Sequence, residues 1–491
     1  MIDRKVLEEV LAEALKGGGD FADIFVENRR ITGISCEDNK IERVQTGLDA
    51  GAGIRVLAGE ATAYAYTNQL DRQGLLDAAG VVARAAGSSR KDVNIDLNRL
   101  EPAISFDIER LPNEVETEDK VEVVQKVNQA ARGVDAEKIK QVIVGYGDVI
   151  QHVQIANSEG VLVEDTRVRT RLVVNAVAAD GGVIQTGYDA LGGVAGFELV
   201  DSAYPEEMAR KAAGRAVALL AAQPAPSGKM PVILASEAGG TMVHEACGHG
   251  LEADLVQKEL SVYAGKRGEV VASPLITVFD DSTMPGKYGS YAFDDEGTGS
   301  APVTLIEEGV LRDYLYDRLT AGKEGRRSNG HGRRESYQHK PIPRMGNTCI
   351  APGKEDPRDI LREAKRGLLV RKMGGGQVNT TNGDFVFEVA EGYLIEDGDV
   401  GSMVRGATLT GNGPEVLAKV ERVGKDLGFT IGTCGKDGQG VPVSDAQPTM
   451  SFGQQQECPI VVGGTGGSPG GSGANKKDFR ELMREPRIRR L

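Results

Sequence analysis

Residues 140–179 read KQVIVGYGDVIQHVQIANSEGVLVEDTRVRTRLVVNAVAA, a run in which apolar and polar side chains change places almost every residue. A strand turns successive side chains to opposite faces, so a period of two describes antiparallel strands with one face buried. The same signature occurs earlier, in DIFVENRRITGISCEDNKIERVQTG and AGIRVLAGEATAYAYT, and predicts a meander of antiparallel strands. Helical periodicity interrupts it in the acidic amphipathic start MIDRKVLEEVLAEALKGGGD and at residues 72–86. It returns in PEEMARKAAGRAVALLAA, whose proline sits at the first turn with acidic residues behind it. Strands and helices do not alternate strictly, so the expected class is α+β rather than a doubly wound sheet.

A chain of 491 residues exceeds what one core supports. The segment AAQPAPSGK at residues 221–229 is the best linker, and a new strand, MPVILA, opens after it. The expected organisation is an N-terminal mixed α/β region followed by a β-rich C-terminal domain carrying a metal-binding helix. Its parts are an α+β domain over residues 1–105, a central α+β domain over 106–225, and the β-rich domain over 226–464. Residues 465–491 read as a glycine-rich linker and a basic, solvated tail. With 5% aromatic residues and no Trp, the cores must rest on Val, Ile, Leu and Ala.

Seventy-two acidic against 58 basic residues give a formal charge of −14. That balance argues against sequence-independent nucleic-acid binding, which needs Lys and Arg to neutralise phosphates. No apolar stretch is long enough to predict a membrane span, and the start does not read as a secretory leader. Five scattered cysteines, Cys36, Cys247, Cys349, Cys434 and Cys458, suggest free thiols or metal ligands in a reducing compartment, hence a cytoplasmic protein.

Two of only five histidines bracket one glutamate in VHEACGHGLEAD, residues 243–254. The metalloprotease pattern HExxH places its histidines at i and i+4, whereas His244 and His249 are five apart. At roughly 100° per residue their imidazoles stand about 140° apart on a regular helix, too far for easy joint ligation. One extra residue in the helical ladder, a π-bulge, brings i and i+5 nearly into line, and Gly248 and Gly250 leave the backbone free for it. The spacing thus predicts a widened turn. The wheel also puts Cys247 among core residues, as a buried inert thiol, and Glu245 between the two histidines. Taken alone, the pattern is equally compatible with two surface or capping histidines beside an ordinary carboxylate.

HEACGHGLEAD resembles the signature of the TldD/PmbA family of zinc metalloproteases, once described as modulators of DNA gyrase. The likeness continues through IRVLAGEATAYAYT, DDSTMPGKYGSYAFDDEGT, GHGRRESYQH, GGGQVNTTNGDFVFEVAEGYLIEDG, VRGATLTGNG and CGKDGQGVPV. Their order and spacing match the TldD branch, since PmbA-type chains lack the histidine motif. The resemblance implies one Zn(2+) per chain held by His244, His249 and the cysteine of TCGKDGQ, Cys434, with Glu245 as general acid–base. Spacing alone does not single out Cys434 from Cys349 or Cys458. Three protein ligands leave one position open, the arrangement of a catalytic zinc site. After Gln447 the chain departs from the family's usual short end and adds the basic tail.

The chemistry implied is hydrolysis of peptide bonds in unfolded or extended polypeptides, bound most simply as an added β-strand. Candidates for steadying the oxyanion or the substrate backbone are His331, Arg333, Arg334, Tyr337 and His339 in GHGRRESYQH, each equally readable as part of a structural loop. GGGQVN lacks the GK[ST] ending of a phosphate loop and is read as a tight turn or a cleft wall. The family implies a dimer, either with a PmbA-like chain or with a second copy, with no nucleic acid or membrane as direct partner. Two other readings compete: a non-catalytic subunit that modulates DNA gyrase, and a metal-dependent hydrolase of another amide.

Overall fold

The structure is a computed structural model that describes residues 1–87, 93–453 and 458–464; the basic C-terminal segment lies outside them. The N-terminal half runs α1 (Arg4–Leu15), β1 (Phe21–Glu37), β2 (Lys40–Ala58), β3 (Ala61–Thr67), α2 (Arg72–Ala86), the short β4 (Asn98–Arg99), α3 (Thr117–Arg132), β5 (Ile139–Asn157), β6 (Val161–Asp180), β7 (Val183–Gly193) and α4 (Tyr204–Ala221). All seven strands form one sheet in the order β3-β2-β1-β5-β6, with β7 and the two-residue β4 both on the far side of β6. Every long pairing is antiparallel. The α+β expectation holds. The boundary near residue 105 divides helix pairs but not sheets, because β1 pairs with β5 from Asp23↔Asn157 to Glu37↔Ile143.

Burial along the strands explains the layers. Strand β5 alternates buried and half-buried positions from Val142 to Gln151, and its last five residues, Val153 to Asn157, are all buried. Strand β1 is likewise buried without a break from Phe21 to Glu27. At those ends both faces of the sheet are covered. On one face Ala22, Ile24, Val26, Ile54 and Val56 meet Leu7, Leu11, Leu75 and Val82 of α1 and α2. On the other, Phe25, Val153, Ile155 and Val163 meet Ala292, Phe293 and Tyr337 of the C-terminal domain. Helices α3 and α4 cover the opposite end of the sheet.

Charged side chains share that second face. Arg55, 1% exposed, donates from Nε to Asp23 Oδ2 at 2.8 Å and from Nη2 to Glu296 Oε1 at 2.6 Å. Arg167 reaches Asp295 Oδ1 at 2.6 Å and the Phe293 carbonyl at 2.8 Å. The Tyr337 backbone N–H donates to Glu27 Oε2 at 2.9 Å. Breaking a buried charge pair by removing one partner costs about 3–5 kcal/mol, because the other charge is left buried and uncompensated. Arg55→Met strands Asp23 and Glu296 together and is expected to lower the unfolding free energy by about that much. Urea unfolding that shows parent-like stability would contradict it.

In the C-terminal domain a ten-stranded sheet and a six-stranded sheet enclose one large core. Strand Val232–Leu234 lies inside the larger sheet, parallel to Arg366–Val378 and antiparallel to Met450–Phe452. The chain leaves it directly into the segment bearing the histidines, which buries Met242, Val243, Ala246 and Cys247 in that core. The smaller sheet ends in the hairpin of Gln439–Gln447 and Gly428–Lys436, the latter being the edge strand.

Candidate metal centre

The helix that starts at Thr241 widens immediately. Residues His244–Gly248 form a π-helical turn, and His249–Leu251 tighten into a 3-10 turn. Neighbours complete this distortion. A Cβ on Gly248 would stand 2.2 Å from Met345 Sδ, so only glycine lets that methionine pack against the bulge. A widened ladder leaves carbonyls short of helical partners, and here side chains supply them: Tyr263 Oη donates to the Ala246 carbonyl at 3.1 Å, and Ser261 Oγ donates to that of Gly250. The turn thus brings the two imidazoles together, with ring centroids 4.9 Å apart and planes at 89°.

Cys434 joins them from the edge strand. The ligating atoms of His244, His249 and Cys434 all lie within 4.8 Å of one another, and Cys434 Sγ is 3.5 Å from His249 Nε2. Among the described residues this is the group of His, Cys, Asp or Glu side chains with metal-site geometry. Zinc–nitrogen and zinc–sulfur bonds of about 2.0 and 2.3 Å at a tetrahedral angle set such donors about 3.5 Å apart, so the donor set fits zinc. Both rings are oriented for it. His244 Nδ1 donates to Asp445 Oδ1 at 2.8 Å, and His249 Nδ1 donates to Glu252 Oε2 at 3.0 Å, which leaves each Nε2 free for a metal.

The electrostatics agree. Burial alone would raise the Cys434 thiol, but His244 and His249 outweigh it and hold it at about 4, a thiolate at neutral pH. Burial would also raise Glu252, yet Lys436 and His249 bring it down to about 2, so it stays an ionised acceptor for His249. Cys247 shows the contrast: burial without any charge partner pushes its thiol up to about 12, and its sulfur donates to the Val243 carbonyl at 3.4 Å. It is the inert core thiol the wheel predicts. Glu245 is half-buried, and burial raises its carboxyl against the pull of the two histidines.

A cleft of about 470 Å³ opens over this cluster, lined by His244, Glu245, His249, Cys434, Leu255 and Lys436, with Gly376, Gln377, Val378 and Thr380 along one wall. GGGQVN is therefore cleft wall, and it lies in a strand rather than a tight turn. The structure does not bring the other five candidates to this lining. His331 faces Asp280, with Nε2 3.2 Å from Oδ1. Arg333 donates to the carbonyls of Met345 and Pro442. Arg334 stacks over Phe25 and donates to the Asp295 carbonyl at 2.8 Å. Tyr337 packs between the domains, and His339 pairs with Ser336 Oγ at 3.0 Å. Of the five, Arg334 and Tyr337 brace the domain contact, a demand that selects polar residues as a substrate loop would.

Sequence reasoning missed Asp445, Glu252 and Lys436. Glu252 carried a signal: it follows His249 by three residues on the same polar face. Asp445 carried none, standing 201 residues from its histidine.

Sequence profiles of the PmbA/TldA metallopeptidases match domain 1 at residues 22–86, the central domain at 110–220 and the C-terminal domain at 227–456. A metalloprotease TldD homolog of Haemophilus influenzae is 36% identical over 455 residues, covering 91% of this chain and 93% of that one. A metalloprotease of Methanothermobacter thermautotrophicus is also 36% identical, over 94% of this chain and all of its own. A zinc metalloprotease TldD homolog of Saccharolobus solfataricus is 27% identical, over 88% and 95%. Among solved structures, TldE from Thermococcus kodakarensis shares the fold at a TM-score of 0.71 and 23% identity, over 93% of this chain and all of that one. Three profiles in register, relatives at 36% identity along most of the chain, and the histidine–cysteine cluster in the third domain lead to one placement: the protein belongs to the TldD/PmbA metallopeptidase family.

Proposed function

We propose that the protein is a zinc-dependent peptidase acting on extended or unfolded polypeptides. The observation that carries this reading is the convergence of His244, His249 and Cys434 within 4.8 Å, with Glu245 in the same cleft. Zinc held by these three residues would act as a Lewis acid toward a scissile carbonyl and would lower the pKa of water beside it. Glu245 has no orienting carboxylate of the kind each histidine has and faces the cleft. It would take a proton from the attacking water and deliver it to the leaving nitrogen as the C–N bond breaks.

The cleft runs between two strand edges. Among the described residues, strand Gly428–Lys436 has a partner on one side only, and residues 373–378 pair only with the strand Asp384–Glu396. A peptide added to either edge would be held through its backbone, with little demand on sequence. Association with a PmbA-like chain or a second copy belongs to the same reading. It draws support from exposed Leu48 on β2 and exposed Ile184 on β7.

Mass spectrometry of peptides incubated with the protein and its partner tests the proposal. Products should form with the metal present, stop on chelation and return on adding zinc. Cleavage that survives complete removal of the metal would contradict it.

A further inference from the structure

The three donors come from two segments, the widened turn of His244 and His249 and the edge strand of Cys434. His244 and Cys434 are tied through backbone. Asp445, which orients His244, lies on strand Gln439–Gln447, and that strand is hydrogen-bonded along its length to the strand of Cys434. The Asp445 carbonyl also accepts from the Gly240 N–H at 3.2 Å, at the foot of the His244 helix. His249 follows on the same turn, its backbone N–H donating to the His244 carbonyl, and the residues after it run on toward Lys436. Between its segment and the thiolate's strand stand two side chains.

Lys436, two residues beyond Cys434, brings its ammonium group against three oxygens here. Nζ lies 3.1 Å from Glu252 Oε2 and donates to Asp254 Oδ1 at 2.6 Å and to the Pro343 carbonyl at 3.0 Å. It grips the residues that follow His249, including the carboxylate that sets the ring. Arg344, fully buried, donates to the carbonyls of Cys434 and Gln439 on the two arms of the hairpin. Its Nε stands 4.0 Å from Glu252 Oε1. The strand so held is an edge strand with glycines at 432 and 435, which leave its path weakly fixed by local geometry.

We infer that Lys436, with Arg344 behind it, is a positioning residue for the metal, holding the Cys434 thiolate against His249 through Glu252. The inference rests on the zinc reading above. The partners of ligating histidines orient the ring, and their loss typically costs 10–100-fold in metal affinity. Lys436 acts one step further out, on the partner and on the third ligand's strand together.

The test is zinc affinity of the full-length protein, measured by competition with a chromogenic chelator. Lys436→Met is expected to bind zinc about 10–100-fold more weakly than the parent, and Lys436→Arg to recover most of that loss. At saturating cobalt, the thiolate-to-metal absorption band of Lys436→Met should be weakened relative to the parent, a signature that general loosening of the fold would not select. If Lys436→Met does not fold, Lys436→Gln, which keeps a polar, hydrogen-bonding end without the charge, takes its place with the same expectation. Parent-like affinity and an unchanged cobalt band overturn the inference while leaving the zinc reading in place. A parent that binds no zinc overturns both.

Discussion

Glu245→Gln is expected to keep its metal and lose nearly all peptide cleavage. Glutamine matches glutamate in size and can occupy the same half-buried position beside the cluster, but it can neither accept the proton of an attacking water nor pass one on. General acid–base groups contribute about 10²–10⁴-fold, and a fall in kcat of that range or larger is the expected result. Glu245 lies outside the His244, His249 and Cys434 donor group, so metal content should stay at the parent level. A glutamate serving only as support for its neighbours would change turnover little. Cleavage near the parent rate, with metal in place, would remove the peptidase mechanism. Loss of the metal itself would instead move Glu245 into the ligand set.

Cys434→Ser and Cys247→Ser should part company completely. The Cys434 sulfur stands 3.5 Å from His249 Nε2 and is held as a thiolate by two histidines. The Cys247 sulfur points into the core three residues from His244, and burial keeps its proton on. A serine hydroxyl is a poor substitute for a thiolate donor. Cys434→Ser should therefore lose zinc affinity by more than the 10–100-fold that outlying positions cost, and activity with it. Cys247→Ser should keep the metal and register only as a modest loss of stability, because its hydroxyl can still donate to the Val243 carbonyl. Metal analysis after gel filtration reads both variants. Zinc lost with Cys247 and retained without Cys434 would reverse the ligand assignment.

Local physics made half of this centre legible in advance. Five-residue spacing cannot serve one metal from a regular helix, so the widened turn followed from geometry, and His244–Gly248 supplies it. The thiolate could not be chosen that way. Cys434 and Cys349 both lie in strands of the same small sheet, and only tertiary pairing decides which faces the histidines. Asp445 is invisible for the same reason. Strand character was readable from alternation, but not strand length. Runs that look like several short strands are continuous over 17 to 20 residues in β1, β5 and β6, and the sheet packs against α1 and α2 toward one end and α3 and α4 toward the other. The GHGRRESYQH loop shows the limit of residue chemistry: a buried arginine that joins a domain contact, as Arg334 does over Phe25, looks in sequence like one that holds a ligand.

The hairpin that brings Cys434 to the site carries a consequence for how the chain is made. His249 leaves the ribosome 185 residues before Cys434. At roughly 5–20 residues per second, the two imidazoles wait about 10–40 s for their third donor. On the three-donor reading, no hydrolytic centre exists during that interval, while strands of both C-terminal sheets are still being made and would themselves be extended polypeptide within reach. The order of synthesis thus separates the appearance of a susceptible chain from the appearance of the chemistry that could cut it.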